Sequence, residues 1–264
     1  MSHVPLPTVD LLGMRIACVD EDTVLNHMFT ELAAGRGGWL VTANLDFLRR
    51  YAKEPAVRSL YAAADVTVAD GMPLVWASEL LGTPVPERVA GSALIYRFAE
   101  RAALERRSLY LLGGDPGAGD GAARALAKRA PGLRIAGFSA PRFSADPTEA
   151  ELTDTVSELR AAQPDLLLVG LGSPKQERVI HALRARFPAM WMVGVGISFS
   201  FAAGQLAHAP DWMRRSGLEW VHRLMQEPKR LARRYLLEDL PFAAELFARV
   251  LVSRASRASR ARQH

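Results

Sequence analysis

The sequence predicts an α/β fold: a Rossmann-like parallel sheet with helices on both faces, plus a basic amphipathic helical C-terminal appendage. Three observations carry that reading. Short apolar runs alternate with helix-length amphipathic stretches through the first 200 residues, the pattern of βαβ units. The apolar runs are continuous, as in parallel strands covered on both faces. Positive charge is also unevenly placed: residues 211–264 hold 12 Arg and Lys against 6 Asp and Glu, whereas residues 1–210 hold 21 against 22.

Asp20-Glu21-Asp22 precedes Thr23 and an apolar-periodic run, which fits a helix cap with its dipole partners better than an Asp-x-Asp metal clamp. Residues 38–43 (GWLVTA) read as a strand, and 45–63 as one or two helices interrupted near Pro55. A strand over 66–69 is followed by helices over about 73–81 and 92–106. Then come strand 108–112, helix 117–129, strand 133–137 and helix 148–162. Strand 165–169, helix 174–186 and strand 190–195 complete the alternation.

Composition sets limits. With 49% hydrophobic and 23% charged residues, the chain is of ordinary soluble, globular type. The single cysteine, Cys18, leaves no internal disulfide or cysteine-based zinc site. The opening MSHVPLPTVD has no basic n-region or apolar h-region, so a cytoplasmic location is expected. The uncharged stretch 187–207 contains Pro188, Gly194, Gly196 and Gly204, so it reads as a buried strand plus a loop rather than a membrane span. The expected division is an α/β core over 1–210, an amphipathic appendage over 211–252 and a disordered tail over 253–264.

In doubly wound sheets, ligands bind beyond the carboxyl ends of the strands, so the residues just after each strand bear the chemistry. The richest such segment is DLLLVGLGSPKQER. Gly170 and Gly172 permit a tight turn, Ser173 suits a helix cap and Pro174 suits the first helical position. The backbone N–H groups there, with Lys175 and Gln176, fit a ligand bearing phosphates and hydroxyls. An ordinary capped helix fits the segment equally well.

Asp70, in VADGM directly after a strand, is the best candidate for a general base, since partial burial would raise its pKa. A structural Asp-Gly turn fits the same residues. Thr42 and Asn44 follow the strand at 38–43, and Ser200 lies in the loop after the last strand. The Gly113–Gly114 turn of GGDPG offers a diphosphate cradle without the spacing of a dinucleotide fingerprint. The six histidines are scattered, so no metal site is expected.

In the basic segment, Arg223, Arg230 and Arg233 are spaced to share one side of a continuous helix, an alignment that Pro228 interrupts by disfavouring helix at Glu227. Leu218, Trp220, Val221, Leu224, Leu231, Tyr235 and Leu236 interleave with them. Such a basic amphipathic segment suits an anionic membrane surface, and a helical face packed on the core is the plainer alternative.

The segments TANLDF, VADGMPLVWA, RVAGSAL, LYLLGGDPG, PDLLLVGLGSPKQER, GVGISFSFAAG, HAPDWMRRSGLEWVHRL and EPKRLARRY occur in that order between Thr42 and Tyr235. Together they resemble the WecG/TagA/CpsF family of bacterial glycosyltransferases (family 26). The resemblance implies a metal-independent, inverting enzyme acting at the cytoplasmic face of the membrane. It would transfer a sugar from a UDP-sugar to an undecaprenyl-diphosphate-linked saccharide, in teichoic acid, common-antigen or exopolysaccharide synthesis. It places the catalytic base on Asp70, with Thr42 and Asn44 beside it, and substrate contacts on Arg88 and Gln176. It also implies that Arg223, Arg230 and Arg233 complete the site on membrane docking.

The departures fall at Ala93, Ser200 and His208, where the family commonly has Asp, an acidic residue and Arg. They bear on the identity of the donor sugar. No cofactor beyond the donor is expected, and a homo-oligomer stays open. A soluble nucleotide-sugar-modifying enzyme, or a nucleic-acid-binding protein using the basic tail, is the alternative from the residues alone. The near-neutral core disfavours nucleic acid.

Overall fold

The computed structural model of the chain describes residues 6–210, 212–213 and 216–261. An antiparallel hairpin, β1 (Thr8–Leu11) and β2 (Met14–Ala17), precedes α1 (Glu21–Ala33). Next come β3 (Gly38–Ala43), α2 (Leu45–Lys53), α3 (Pro55–Tyr61), β4 (Val66–Ala69), α4 (Met72–Leu80) and α5 (Gly91–Leu104). The second half of the sheet is β5 (Ser108–Gly113), α6 (Ala118–Arg129), β6 (Arg134–Ser139), α7 (Glu149–Ala162), β7 (Leu166–Gly170), α8 (Lys175–Arg184) and β8 (Trp191–Gly194). The chain continues through α9 (Ser198–Ala202), α10 (Glu219–Gln226), α11 (Pro228–Ala232), a π-helical segment over Arg233–Asp239, and α12 (Leu240–Ala261).

Strands β3 to β8 form one parallel sheet in the order β4-β3-β8-β7-β5-β6. The apolar runs build its centre because both faces are covered. Trp39, Val41, Leu167, Val169 and Met192 face a core shared with α2, α3, α4, α7 and α8. Leu40, Leu166, Leu168, Trp191 and Val193 face a second core shared with α1, α5, α6 and α9. The helices therefore lie on both faces, as the sequence predicts. Asp20 caps α1 by accepting from the Thr23 N–H at 2.7 Å, and Pro55 divides α2 from α3.

The hairpin is not foreseen by the sequence pattern, since its strands are short and turn on Leu12 and Gly13, both with positive φ. A second difference concerns Ser173. It lies one residue before the cap position of α8 and shares a hydrogen bond of 2.8 Å with the Tyr61 hydroxyl, while Pro174 occupies the cap.

The C-terminal segment packs on the core. Phe242, Leu246 and Val250 form one stripe of α12 and are buried with the α4 side of the sheet. The helix runs on through Ala261, into the stretch whose composition predicts disorder, and residues 262–264 lie outside the described residues. Glu227 leaves the helical region, with φ −132° and ψ 56°, as the following proline requires. Among the described residues, no helix is long and apolar enough to cross a membrane.

Arg49 fastens this segment. From α2 it reaches Asp46 at 2.5 Å, Glu238 at 2.9 Å and Asp239 at 3.2 Å, with its side chain largely buried. Arg49→Ala would leave the buried Asp46 and Asp239 carboxylates with only their longer contacts, to Arg50 at 3.4 Å and Arg234 at 3.9 Å. It would also cut the link between α2 and the C-terminal segment, a loss of about 2 kcal/mol. Urea unfolding should show that loss, and limited proteolysis should cut residues 211–240 faster. An unchanged midpoint and cleavage rate would discard this role for Arg49.

Candidate active site

Four strands of the sheet end at one cavity of about 500 Å³, whose lining includes Thr42 and Asn44 after β3, Asp70 after β4, Gly172 and Gln176 after β7, and Gly194 to Ser198 after β8. The helices that follow these strands begin there, so several N-terminal dipole ends face one space and favour an anionic ligand. The C-terminal segment closes the far side with Glu219, Trp220, Arg223, Arg230, Arg234 and Tyr235.

Asp70 follows β4 and lines the cavity between Thr42 and Arg88. Its Oδ2 accepts from the Gly91 N–H, the first residue of α5, at 3.1 Å. A Cβ at Gly91 would lie 3.2 Å from the Thr42 hydroxyl, so that side chain would have to give by a few tenths of an ångström, and in ordinary contact, 3.8 Å, with the Asp70 carboxylate. Burial pushes the Asp70 carboxyl up to about 7, against the opposing pull of Arg88 and the Gly91 N–H. Desolvation wins here, so the carboxylate is a base matched to neutral pH. Arg88 pairs with Glu219 of α10 across the cavity wall. Burial opposes the Arg88 charge, but Asp70 and Glu219 hold it above its ordinary value.

Other residues shape the cavity by fixing its loops. Asn44 caps α2 by accepting from the Phe47 N–H at 3.2 Å. Buried Gln176 accepts from the Gly196 N–H at 3.0 Å and donates to Glu177 at 2.7 Å, tying the β7 and β8 loops together. Burial also drives Glu177 up to about 7.

The structure thus brings together Thr42, Asn44, Asp70, Arg88, Gly172, Gln176, Arg223 and Arg230. The remaining sequence candidates lie off this lining. Gly113 and Gly114 pack against Leu171 and Phe199, and Lys175 donates to the Phe143 carbonyl at 3.2 Å. Ser200 is buried and donates to Asp115 at 3.1 Å. Arg233 is exposed and reaches Glu238 at 3.5 Å, while its neighbour Arg234 lines the cavity. Glu219, Arg234 and Gly91 are the site residues that sequence reasoning missed. Glu219 falls within the matched GLEW segment, but only its contact with Arg88 marks it. His208 stacks on Phe201 of the lining, with ring centroids 4.5 Å apart.

Residues 9–256 match the family described as "Glycosyl transferase WecG/TagA/CpsF family". The chain belongs to this family. It is similar to proteins named N-acetylglucosaminyldiphosphoundecaprenol N-acetyl-beta-D-mannosaminyltransferase. That of Bacillus spizizenii is 30% identical over 234 residues, covering 88% of this chain and 87% of the relative. That of Staphylococcus aureus is 31% identical over 238 residues, covering 88% and 89%. The Bacillus subtilis protein of the same name is 28% identical over 197 residues, covering 75% of each. As a family member the chain is a glycosyltransferase, and Thr42, Asn44 and Asp70 line the cavity at the strand ends.

Two expectations follow from the burial of Asp70. Its raised pKa favours the protonated form in the folded chain, so its destabilising effect is absent below the unfolded value near 4 and complete above about 7. Asp70→Asn should therefore be more stable than the parent at pH 8, by up to about 4 kcal/mol, with the gap closing towards pH 4. Chemical unfolding across that range checks it, and equal stability at pH 8 would contradict the buried charge. Gln176→Ala should strand the Gly196 N–H and remove the donor to Glu177, costing about 1–3 kcal/mol. The same unfolding measurement reads this loss, and a midpoint equal to the parent's would discard the tie.

Proposed function

We propose that the protein is an inverting glycosyltransferase that moves a sugar from a UDP-sugar to an undecaprenyl-diphosphate-linked saccharide at the cytoplasmic face of the membrane. The observation that carries this reading is the pairing of a carboxyl poised near neutrality with a cationic wall in one cavity. Asp70 supplies the carboxyl, and Arg88, Arg223, Arg230 and Arg234 supply the wall. The relatives' names support the acceptor, because those proteins act on N-acetylglucosaminyldiphosphoundecaprenol.

The chemistry follows from the residues. Asp70 takes the proton from the acceptor hydroxyl as that oxygen attacks the anomeric carbon of the donor. The bond from the anomeric carbon to the diphosphate oxygen breaks on the opposite face, so configuration inverts and UDP leaves with the electron pair. Negative charge grows on the departing diphosphate, where arginines and helix N-termini provide preorganised donors. That cationic wall gives the basis for proposing metal-independent transfer. Thr42 and Asn44 flank the base and orient the acceptor.

The location also has a physical basis. Trp212, Leu218, Met225, Leu236 and Leu237 are exposed along the C-terminal segment, beside exposed Lys229, Arg230 and Arg233. Apolar side chains interleaved with cations fit an anionic bilayer face, where each basic residue contributes on the order of 1 kcal/mol. We therefore place the enzyme peripherally on that surface, with its cavity facing the lipid-linked acceptor. The donor sugar is a UDP-linked hexose or N-acetylhexosamine, and Ala93, Ser200 and His208 bear on the choice.

A transfer assay with a panel of UDP-sugars, and polyprenyl-diphosphate-linked GlcNAc or glucose as acceptor, tests the reading. Transfer from one donor without added metal is expected, with the rate falling tenfold per pH unit below about 7. Asp70→Asn should lower turnover at least ~10²-fold, and undiminished turnover would remove Asp70 from the role. Flotation with anionic vesicles should also weaken when Leu236 and Leu237 are both replaced by Ser. If it is unchanged, that surface does not dock.

A further inference from the structure

Glu219 stands out among the carboxylates of the cavity lining because it pairs across the wall with Arg88. It lies in the first turn of α10, 131 residues from its partner Arg88, and both side chains are only 19% exposed. A surface ion pair would contribute little, but a shielded one that joins the C-terminal segment to the catalytic edge fixes both groups. The same segment brings Arg223, Arg230 and Arg234 to the cavity lining. Cations suit the departing diphosphate, yet each one close to the base also weakens it.

We propose that Glu219 is a positioning residue of the transfer reaction: it holds Arg88 in place beside Asp70 and offsets the positive charge that the C-terminal segment brings to the base. The inference rests on the reading of Asp70 as general base.

The groups facing Asp70 come from every side of the site. Gly91 presents its N–H from α5, the Thr42 hydroxyl faces Gly91 from β3, and Arg88 approaches from the loop before α5. Arg223 and Glu219 come from α10. Arg88 and Arg223 pull the carboxyl down, whereas Glu219 pushes it up. A base that stayed ionised but weakly basic would accept the acceptor proton poorly. Glu219 lets the cations approach the diphosphate without that loss.

Glu219→Gln isolates the charge, because an amide oxygen can still accept from Arg88. The first readout is the carboxyl titration of Asp70, followed by carbon-13 NMR of the full-length chain and assigned by its disappearance in Asp70→Asn. Removing a neighbouring negative charge should move that titration about one pH unit lower. The acid limb of the kcat/KM profile should move in the same direction, and turnover at pH 8 should fall several-fold. Glu219→Asp should return the titration most of the way to the parent value. An Asp70 titration that stays in place, or rises, in a folded Glu219→Gln protein overturns the inference. Undiminished turnover of Asp70→Asn would overturn the reading of Asp70 instead, and the NMR titration would still decide whether Glu219 acts on that carboxyl.

Discussion

Arg49 lies on α2, the helix whose cap is the cavity-lining residue Asn44, and its guanidinium meets carboxylates from two distant parts of the chain. Asp46 comes from its own helix, and Glu238 and Asp239 come from the π-helical segment near the C-terminus. Asp46 and Asp239 are both buried, so each needs its cation to avoid a large desolvation cost. The cavity depends on this junction, since its far wall is formed by residues that Arg49 helps to hold. The apolar stripe of Phe242, Leu246 and Val250 supplies the bulk attraction, and Arg49 sets the register in which that attraction is satisfied.

The consequence for chemistry is a division of labour between two parts of the chain. The sheet contributes the Asp70 carboxyl and helix N-termini, set by short loops after buried strands, and the loop before α5 contributes Arg88. The C-terminal segment contributes arginines and an acidic counterweight, carried on helices that also expose apolar side chains. A transferase that handles an activated donor gains from such an arrangement. In the proposed reading, the packed segment closes the cavity around the donor and so limits its exposure to water.

Glu177 and Gln176 show how the same loops gain rigidity. Gln176 spends its amide on the β8 loop and on Glu177, rather than offering all of it to a ligand. Glu177 is buried with its second carboxylate oxygen unpartnered, so burial drives its pKa upward as it does for Asp70. Two carboxyls near neutrality therefore lie at the strand ends, but Asp70 alone of the two lines the cavity. Geometry, not pKa, distinguishes the carboxyl that faces the cavity from the one that braces the loops.

By itself, the sequence determined the parallel sheet, the Asp20 cap, the break at Pro55 and the end of α10 before Pro228. Each is local: a buried strand needs a continuous apolar run, a cap needs a short polar side chain, and proline removes helix from the residue before it. The matched motifs also placed Thr42, Asn44, Asp70, Arg88 and Gln176 in one site. Tertiary structure decided what depends on approach between distant segments. The pairing of Glu219 with Arg88 has no local signature, because the residues are 131 positions apart. Arg234 replaces Arg233 on the cavity wall because a break at Glu227 and a π-helical segment change the rotation that even helical spacing assumes. Ser200, Lys175 and the Gly113–Gly114 turn sit beside a strand end or in a matched motif, yet each spends its polar groups or its packing on neighbouring protein. Sequence fixes which residues stand at the strand ends, and only packing decides which of them face the open space.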